Sequence, residues 1–326
     1  MARTALLANT HTTPPGARPA IDIVADLPMK RGYSVNSWFA IGRFESDDHV
    51  LNYLAHVIVM SVKGIPVALN SSFSVTDQTT GWYGSEDKLY APWKGTFAPD
   101  RFVVRAPNCS LEGDLETMRV RAEMKGASID LVLHGTGHPL YNKGTGRFEL
   151  LGLDVRQYSL PTMETSGRIT IEGRTHDVIG TSWFDRQWQN QNILKLNGRW
   201  TWMDLNLSNG LRLSLWEAVD TEGRTDSWVT CIDEHGSHRV ASLTPLTEGA
   251  SDYWLPASGN RYPTRWHLTA PELSLDLVVT PSPREQELQG FLPHYEAASD
   301  VAGTIDGEPV TGYCYVEMVG DWKASR

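Results

Sequence analysis

Short runs in which apolar and polar residues alternate recur along most of the chain. Four clear examples are Met118–Met124, Ser128–Leu133, Leu211–Leu215 and Leu273–Val279. Successive side chains of a strand point to opposite faces, so a period of two is typical of antiparallel sheet. Turn signals separate such runs, at Ser208–Gly210, Glu222–Gly223, Glu234–Gly236 and Ile305–Gly307. Because helical periodicity of any length is hard to find, the pattern predicts an all-β protein.

One pattern occurs twice, once in the middle of the chain and once near its end. In both copies an aromatic residue follows a glycine by three positions, and a carboxylate follows it by five. The two sets are Gly180, Trp183 and Asp185, and Gly312, Tyr315 and Glu317. In an extended strand, the aromatic residue and the acid share one face. The repeat predicts two β domains, residues 21–191 and 192–326, after a flexible leader at 1–20, each long enough to close into a barrel around a small ligand.

The segment Gly180–Gln191 combines aromatic rings, amides, a carboxylate and a guanidinium. If it is extended, one face carries Trp183, Asp185 and Gln187, and the other carries Phe184, Arg186 and Trp188. A carboxylate enclosed by apolar rings has a raised pKa and can act as an acid. The alternative is a structural hydrogen bond or ion pair of Asp185 that closes the end of a barrel.

Composition narrows the class of protein. Of the 326 residues, 21% are charged and 40% hydrophobic, which is typical of a globular chain. The net charge of −10 argues against nucleic acid and an anionic membrane surface as partners. No run of about 18 apolar residues exists, and the N-terminus lacks the pattern of a signal peptide, so we expect a cytoplasmic protein with no membrane span.

Metal sites and disulfides are not expected. The three cysteines, Cys109, Cys231 and Cys314, are odd in number and widely spaced, which favours buried free thiols. His134 and His138 flank two glycines, a spacing that favours a hairpin loop over a metal pair.

Several motifs, taken in order, resemble the AttH/carotenoid 1,2-hydratase superfamily. They are Gln157–Pro161, Thr165–Gly167, Gly180–Trp188, Arg261–Pro263 with Trp266, and Gly312–Glu317. The resemblance covers both halves of the chain and implies two packed lipocalin-like antiparallel β-barrels. It also implies one of two reactions, hydration of an isoprenoid alkene or ring closure by Diels–Alder chemistry. By this resemblance, Asp185 matches the aspartate that protonates the alkene in the hydratases.

Departures from the hydratase pattern favour ring closure. Trp183 stands where the hydratases have tyrosine, Arg156–Ser159 lacks their histidine and tryptophan, and Gln189 replaces the glycine that follows their motif. The leading prediction is a cofactor-independent cyclase of natural-product biosynthesis that closes a ring by a [4+2] or related isomerisation in a hydrophobic polyene. The alternatives are a hydratase or acid-driven cyclase that uses Asp185, and a carrier of an apolar ligand.

The predicted site follows from these motifs, with the cavity in the first barrel or between the two domains. The catalytic candidates are Asp185, Trp183, Tyr158 and Gln187, of which the last two and the indoles offer donors to a substrate carbonyl. The substrate-binding candidates are Trp38, Phe39, Tyr53, Trp82, Trp188, Tyr315 and Glu317. Glu317 is a base or a structural carboxylate, and the alternative for the aromatic residues is that they fill cores. The oligomeric state stays open.

Overall fold

A computed structural model describes residues 19–191, 198–290 and 293–323. Strands dominate these ranges, and the all-β prediction is confirmed. Their helical elements are three short 3-10 turns, Pro92–Lys94, Asn142–Gly144 and Pro271–Leu273. Nearly all of the predicted leader, residues 1–18, lies outside the described residues.

The first sheet contains thirteen strands, all of them between residues 35 and 189. They are β1 Val35–Ser46, β2 His49–Val62, β3 Ile65–Asp77, β4 Trp82–Tyr90, β5 Thr96–Phe97, β6 Phe102–Ala106, β7 Cys109–Gly113, β8 Met118–Met124, β9 Ala127–Gly135, β10 Leu140–Tyr141, β11 Arg147–Leu150, β12 Leu153–Ile171 and β13 Arg174–Gln189. The order of hydrogen-bonded neighbours is β4-β3-β2-β1-β13-β12-β9-β8-β7-β6-β5, with β10 and β11 also paired to β12.

The second sheet contains ten strands and repeats the plan of the first. They are β14 Gly198–Leu207, β15 Arg212–Asp220, β16 Thr225–Ile232, β17 His238–Ser242, β18 Ala250–Ser251, β19 Arg265–Ala270, β20 Leu275–Pro281, β21 Glu287–Leu288, β22 His294–Ile305 and β23 Glu308–Val319. The order is β17-β16-β15-β14-β23-β22-β20-β19-β18, with β21 paired to β22.

Each sheet curls into an antiparallel half-barrel, which confirms the predicted two-barrel class. The predicted boundary after residue 191 falls between β13 and β14, the last strand of one sheet and the first of the other. In both sheets the last strand pairs with the first strand and with the strand before it. The internal repeat therefore marks equivalent hairpins, β12–β13 and β22–β23.

Glycine shapes the turns of these two hairpins. Glu172 and Gly173 have φ of 48° and 82°, and Asp306 and Gly307 have φ of 53° and 77°. Two consecutive positive φ values are typical of the type I′ turn that matches the twist of the flanking strands. The turns fix the register of both hairpins, and with it the position of the residues that follow.

Three apolar clusters organise the fold. The first fills the concave face of the first sheet and the second fills that of the second sheet. The third lies between the sheets and takes rings from both, Phe39, Phe148 and Trp183 from the first and Trp202, Trp216, Trp228 and Tyr315 from the second. The two half-barrels therefore share a buried aromatic interface.

The N-terminal segment, residues 21–29, covers the first core and is fastened by Arg186. Ile21, Leu27 and Met29 are buried in this core. Arg186 is fully buried, and it donates to the carbonyl oxygens of Asp26, Leu27 and Pro28 at 2.9–3.2 Å. Its guanidinium also lies over the rings of Trp38 and Trp188, 4.3 and 4.8 Å from their centres.

Candidate functional site

Asp185 lies at the interface between the sheets, beside Trp183. The two side chains share one face of β13, as the alternation predicts, and the indole Nε1 donates to Asp185 Oδ1 at 2.6 Å. Gln157 Nε2 on β12 donates to Oδ2 at 2.7 Å, and Asn142 Nδ2 donates to Gln157 Oε1 at 2.7 Å. Donors from two paired strands, β12 and β13, therefore hold a carboxyl group that is only 6% exposed.

Burial controls the protonation of Asp185. Removal from water raises its pKa from the ordinary value of 3.8 to about 6, against the opposing effect of Ser159, Trp183 and Gln157. Hydrogen-bond donors stabilise the carboxylate, but an apolar surrounding penalises its charge more strongly. A substantial fraction of Asp185 is therefore protonated in weakly acidic solution.

The strand register aligns one row of side chains in each sheet. In the first sheet, Phe39 pairs with both Asp185 and His56, and Asp185 pairs with Ser159. In the second sheet, Trp202 pairs in the same way with both Glu317 and Trp216, and Glu317 pairs with Glu296. The rows meet where Phe39 and Trp183 contact the ring of Trp202, with centres 5.6 and 6.3 Å apart.

The second sheet brings three acids to this interface. Burial raises the pKa of Glu317 to about 7, the indole of Trp200 lowers it, and the charge of Asp185 raises it further. Burial also raises the pKa of Glu296 and of Asp204 well above their ordinary values. Together with Asp185 they form a cluster of four carboxyl groups, each with a pKa raised above its ordinary value.

His56 is the histidine of the first row. Burial, and then the charge of His294, lower its pKa to about 3, so the imidazole is neutral. Its Nε2 lies 2.7 Å from Ser37 Oγ, and its ring meets that of Phe39 edge-on at 5.0 Å. His56 therefore places a polar but uncharged group beside the ring of Phe39.

Tryptophan rings form the wall of the interface on the side of the second sheet. Trp216 and Trp228 stack with their centres 5.9 Å apart, and Trp216 packs against Trp202 at 6.4 Å. Phe148 of the first sheet covers the stack, 5.8 Å from Trp216. Such faces bind planar, unsaturated or cationic groups.

The structure brings only part of the predicted site together. Phe39, Trp183, Asp185 and Tyr315 lie in or beside the interface cluster, and Glu317 adjoins it. Gln187 is on the same face, but its Nε2 donates to Gln189 Oε1 at 3.2 Å.

The other predicted residues belong to the first core, on the opposite face of the sheet. They are Trp38, Tyr53, Trp82, Tyr158 and Trp188. Tyr158 donates its hydroxyl to the Ile23 carbonyl at 3.1 Å, and Tyr53 donates to Ser182 Oγ at 2.9 Å. Because Tyr158 pairs in register with Arg186 and not with Asp185, it points away from the carboxyl group. For these five residues the structure favours the alternative that aromatic side chains fill a core.

Several site residues escaped sequence reasoning. In the sequence, Gln157 stands out only as part of a motif, whereas His56, Asp204 and Glu296 lie in strongly apolar strands without a local signal. Glu296 could have been found by extending the repeat through the strand pairing, since it corresponds to Ser159.

The described ranges contain neither a metal-binding cluster nor a helix that could cross a membrane. No group of three or more histidine, cysteine or acidic side chains there has the arrangement of a metal site. No helical element of those ranges is both long and apolar enough to cross a membrane. The three cysteines are free and buried, as predicted.

Comparison with known proteins places this geometry in a family. A sequence profile described as AttH-like matches residues 65–321, most of the chain. The dehydratase asqC of Emericella nidulans is 25% identical over 219 residues, which are 62% of this chain and 61% of that protein. The chain thus matches less than two thirds of the length of this curated relative.

Solved structures share the fold. Kievitone hydratase from Nectria haematococca superposes with a TM-score of 0.80 at 22% identity, over 96% of this chain and 97% of the hydratase. CghA, solved with Sch210972, superposes with a TM-score of 0.56 at 9% identity, over 97% and 98% of the two chains. The extent of the profile match, across both half-barrels, shows that this chain belongs to the AttH-like family.

Proposed function

We propose that this protein is an enzyme of secondary metabolism that adds water to an alkene, or removes it from the corresponding alcohol. The substrate is apolar and binds between the two half-barrels. The observation that carries the proposal is the Asp185 carboxyl group, which is buried, held by two donors, and has a pKa raised to about 6.

The chemistry follows from that carboxyl group. Protonated Asp185 donates its proton to one alkene carbon, and the neighbouring carbon becomes a cation. The faces of Trp202 and Trp216 stabilise this cation by about 0.5–2 kcal/mol, and water then captures it. In the opposite direction, the Asp185 carboxylate accepts a proton from carbon as a hydroxyl group leaves. Proton transfer by a positioned group contributes about 10²–10⁴ in rate.

The names of two similar proteins support this class of reaction. One is called a dehydratase and the other a hydratase, which are opposite directions of the same chemistry. The identity to both is low, so the support extends to the type of reaction and not to the substrate.

Ring closure of a polyene is the second candidate, favoured by the stack of Trp216 and Trp228. A pericyclic reaction requires a wall that folds the substrate and donors that polarise a carbonyl group. The donors predicted for that role are engaged elsewhere, since Trp183 donates to Asp185, Tyr158 to Ile23 and Gln187 to Gln189. This use of the donors makes ring closure the less favoured function.

Incubation in H₂¹⁸O with mass spectrometry tests the proposal. The panel contains linear polyenes, phenols that bear a 3-methylbut-2-enyl chain, and the tertiary alcohols derived from them. Hydration yields a product that is heavier by one labelled water, and dehydration yields one that has lost water. A product of unchanged mass and altered retention would replace the proposal with ring closure. Retention of an unchanged compound by the protein, with no product, would leave a carrier.

A further inference from the structure

Glu317 occupies in the second sheet the position that Asp185 occupies in the first. Asp185 pairs with Phe39 of β1 and Ser159 of β12. Glu317 makes the same two kinds of pair, with Trp202 of β14 and with Glu296 of β22. Both follow an aromatic residue by two positions and a repeat glycine by five. The internal repeat thus presents one carboxyl group from each half of the chain at the shared interface.

The surroundings of Glu317 suit a group that contacts a substrate. Its side chain is partly buried, and within the described ranges its only hydrogen bond is a long one of 3.4 Å, which Trp200 Nε1 donates to its Oε2. Its strand partner Trp202 contacts Phe39, the strand partner of Asp185, with ring centres 5.6 Å apart. The charge of Asp185 also raises the Glu317 pKa. A carboxyl group with so few partners is free to exchange a proton.

The other acids of the cluster are less suited to this role. Asp204 accepts the Tyr315 backbone N–H on Oδ1 at 2.6 Å and Asn206 Nδ2 on Oδ2 at 2.8 Å, so both of its oxygens are engaged. Glu296 is the more deeply buried member of the hairpin pair, at 0% exposure, whereas Glu317 is partly buried. Its carboxyl oxygens have no hydrogen bond within the described residues, and Oε1 lies 3.6 Å from His294 Nε2.

We propose that Glu317 is the second proton-transfer residue of the site, opposite Asp185, and that Glu296 is a positioning residue that controls its charge. The proposal rests on the proposed function. The titratable groups around Glu317 are Asp185, Glu296 and, beyond them, Asp204, His294 and His56. Because this surrounding is mainly acidic, the charge of one carboxyl group of the pair disfavours the charge of the other.

The step balances without a further reactant. In hydration, the proton of Asp185 forms a C–H bond as the π bond breaks, the water oxygen bonds to the cation, and the Glu317 carboxylate takes the proton that this water loses. In dehydration, Glu317 protonates the leaving hydroxyl group, and the Asp185 carboxylate takes the proton from carbon. Each turnover moves one proton from one carboxyl group to the other, and exchange with solvent restores the starting state.

A substrate-free titration tests the coupling of the two carboxyl groups. The protein is labelled with ¹³C at the side-chain carboxyls, and the Glu317 resonance is followed against pH. Asp185→Asn should lower the Glu317 midpoint by about one unit, the interaction at which two sites titrate as a pair. Asp177→Asn, at an exposed position of the same strand, should leave it unchanged. An unaltered midpoint in Asp185→Asn would overturn the proposal, whatever the reaction proves to be.

A pH profile tests the catalytic role with 4-(3-methylbut-2-enyl)phenol and its tertiary alcohol as probes. Glu317→Gln should lower kcat about 10²-fold or more and remove one limb of the bell-shaped profile. Glu317→Asp should restore part of the rate, and Glu308→Gln, at an exposed position of the same strand, should have no effect. Wild-type turnover in Glu317→Gln with none in Asp185→Asn would refute the role of Glu317 and leave the proposed function standing. A lower rate with an unchanged profile would show a merely structural role.

Discussion

Burial of Asp185 should destabilise the folded protein in neutral and alkaline solution. The pKa of this group rises from 3.8 to about 6 on folding, so the folded state binds the proton more tightly than the unfolded state. The stability that Asp185 contributes is therefore fully present below pH 4 and is lost as the pH rises to 6. A shift of about two units corresponds to about 3 kcal/mol of stability.

Asp185→Asn removes this ionisation and should therefore reverse the loss. The new amide nitrogen faces one of the donors Trp183 and Gln157, which costs about 1 kcal/mol. This conflict is relieved if the side-chain amides of Gln157 and Asn142 turn over, so that their oxygen and nitrogen atoms exchange places. Asn142 Oδ1 makes no hydrogen bond within the described residues and can then accept one from Gln157. We expect Asp185→Asn to be more stable than the wild type by about 2 kcal/mol at pH 8, but not at pH 4.

Urea unfolding at pH 4 and pH 8 provides the measurement. The decisive quantity is the change in unfolding free energy caused by Asp185→Asn at pH 8, minus the same change at pH 4. Effects of the amide itself cancel in this difference, which should be about 3 kcal/mol. Asp177→Asn is the matched control, for which the difference should be near zero. A difference near zero for Asp185→Asn as well would refute the inference that its buried charge is costly.

Two further substitutions test the hydrogen bonds around the site. Trp183→Phe keeps a ring but removes the donor to Asp185 Oδ1, so the Asp185 pKa should rise further. The pKa is measured by carboxyl NMR, with Trp93→Phe, at an 82% exposed position, as the control. A lower or equal Asp185 pKa in Trp183→Phe would contradict this prediction. Arg186→Met removes the donor to the carbonyl oxygens of Asp26, Leu27 and Pro28, of which Leu27 keeps a second donor, Trp38 Nε1. It should lower the unfolding free energy by at least about 3 kcal/mol. A loss below about 1 kcal/mol in chemical unfolding would show that Arg186 does not fasten this segment.

The sequence was sufficient for the features that depend on local alternation. The run Met118–Met124 coincides with β8, and the predicted turns at Gly210, Gly223 and Gly307 lie between paired strands. The shared face of Trp183 and Asp185 was also predictable, because side chains two apart in a strand always point the same way.

Which face points inward was not predictable from alternation. Tyr158 and Asp185 both lie in strands that are buried on both sides, and the apolar pattern there does not tell the concave core from the interface between sheets. Strand register decides it, since Tyr158 pairs with Arg186 while Ser159 pairs with Asp185. Register depends on contacts between distant segments, and a one-residue change reverses every side chain.

The same reason explains why Glu296 was missed. No local motif marks it in the run Tyr295–Ala298, and its importance comes from its pairing with Glu317 across the hairpin. The repeat contained enough information to predict this pair once the type I′ turn at Asp306 and Gly307 was used to count along both strands.

The most direct test of the central claim is whether the Asp185→Asn protein still adds oxygen from water to the substrate, compared with its control. The rate of ¹⁸O incorporation from H₂¹⁸O into the product is measured for the wild type, Asp185→Asn and Asp177→Asn under identical conditions. The prediction is incorporation at equal rates in the wild type and Asp177→Asn, and a rate at least about 10²-fold lower in folded Asp185→Asn. Incorporation at the wild-type rate in Asp185→Asn would contradict it, because water would then add without this acid.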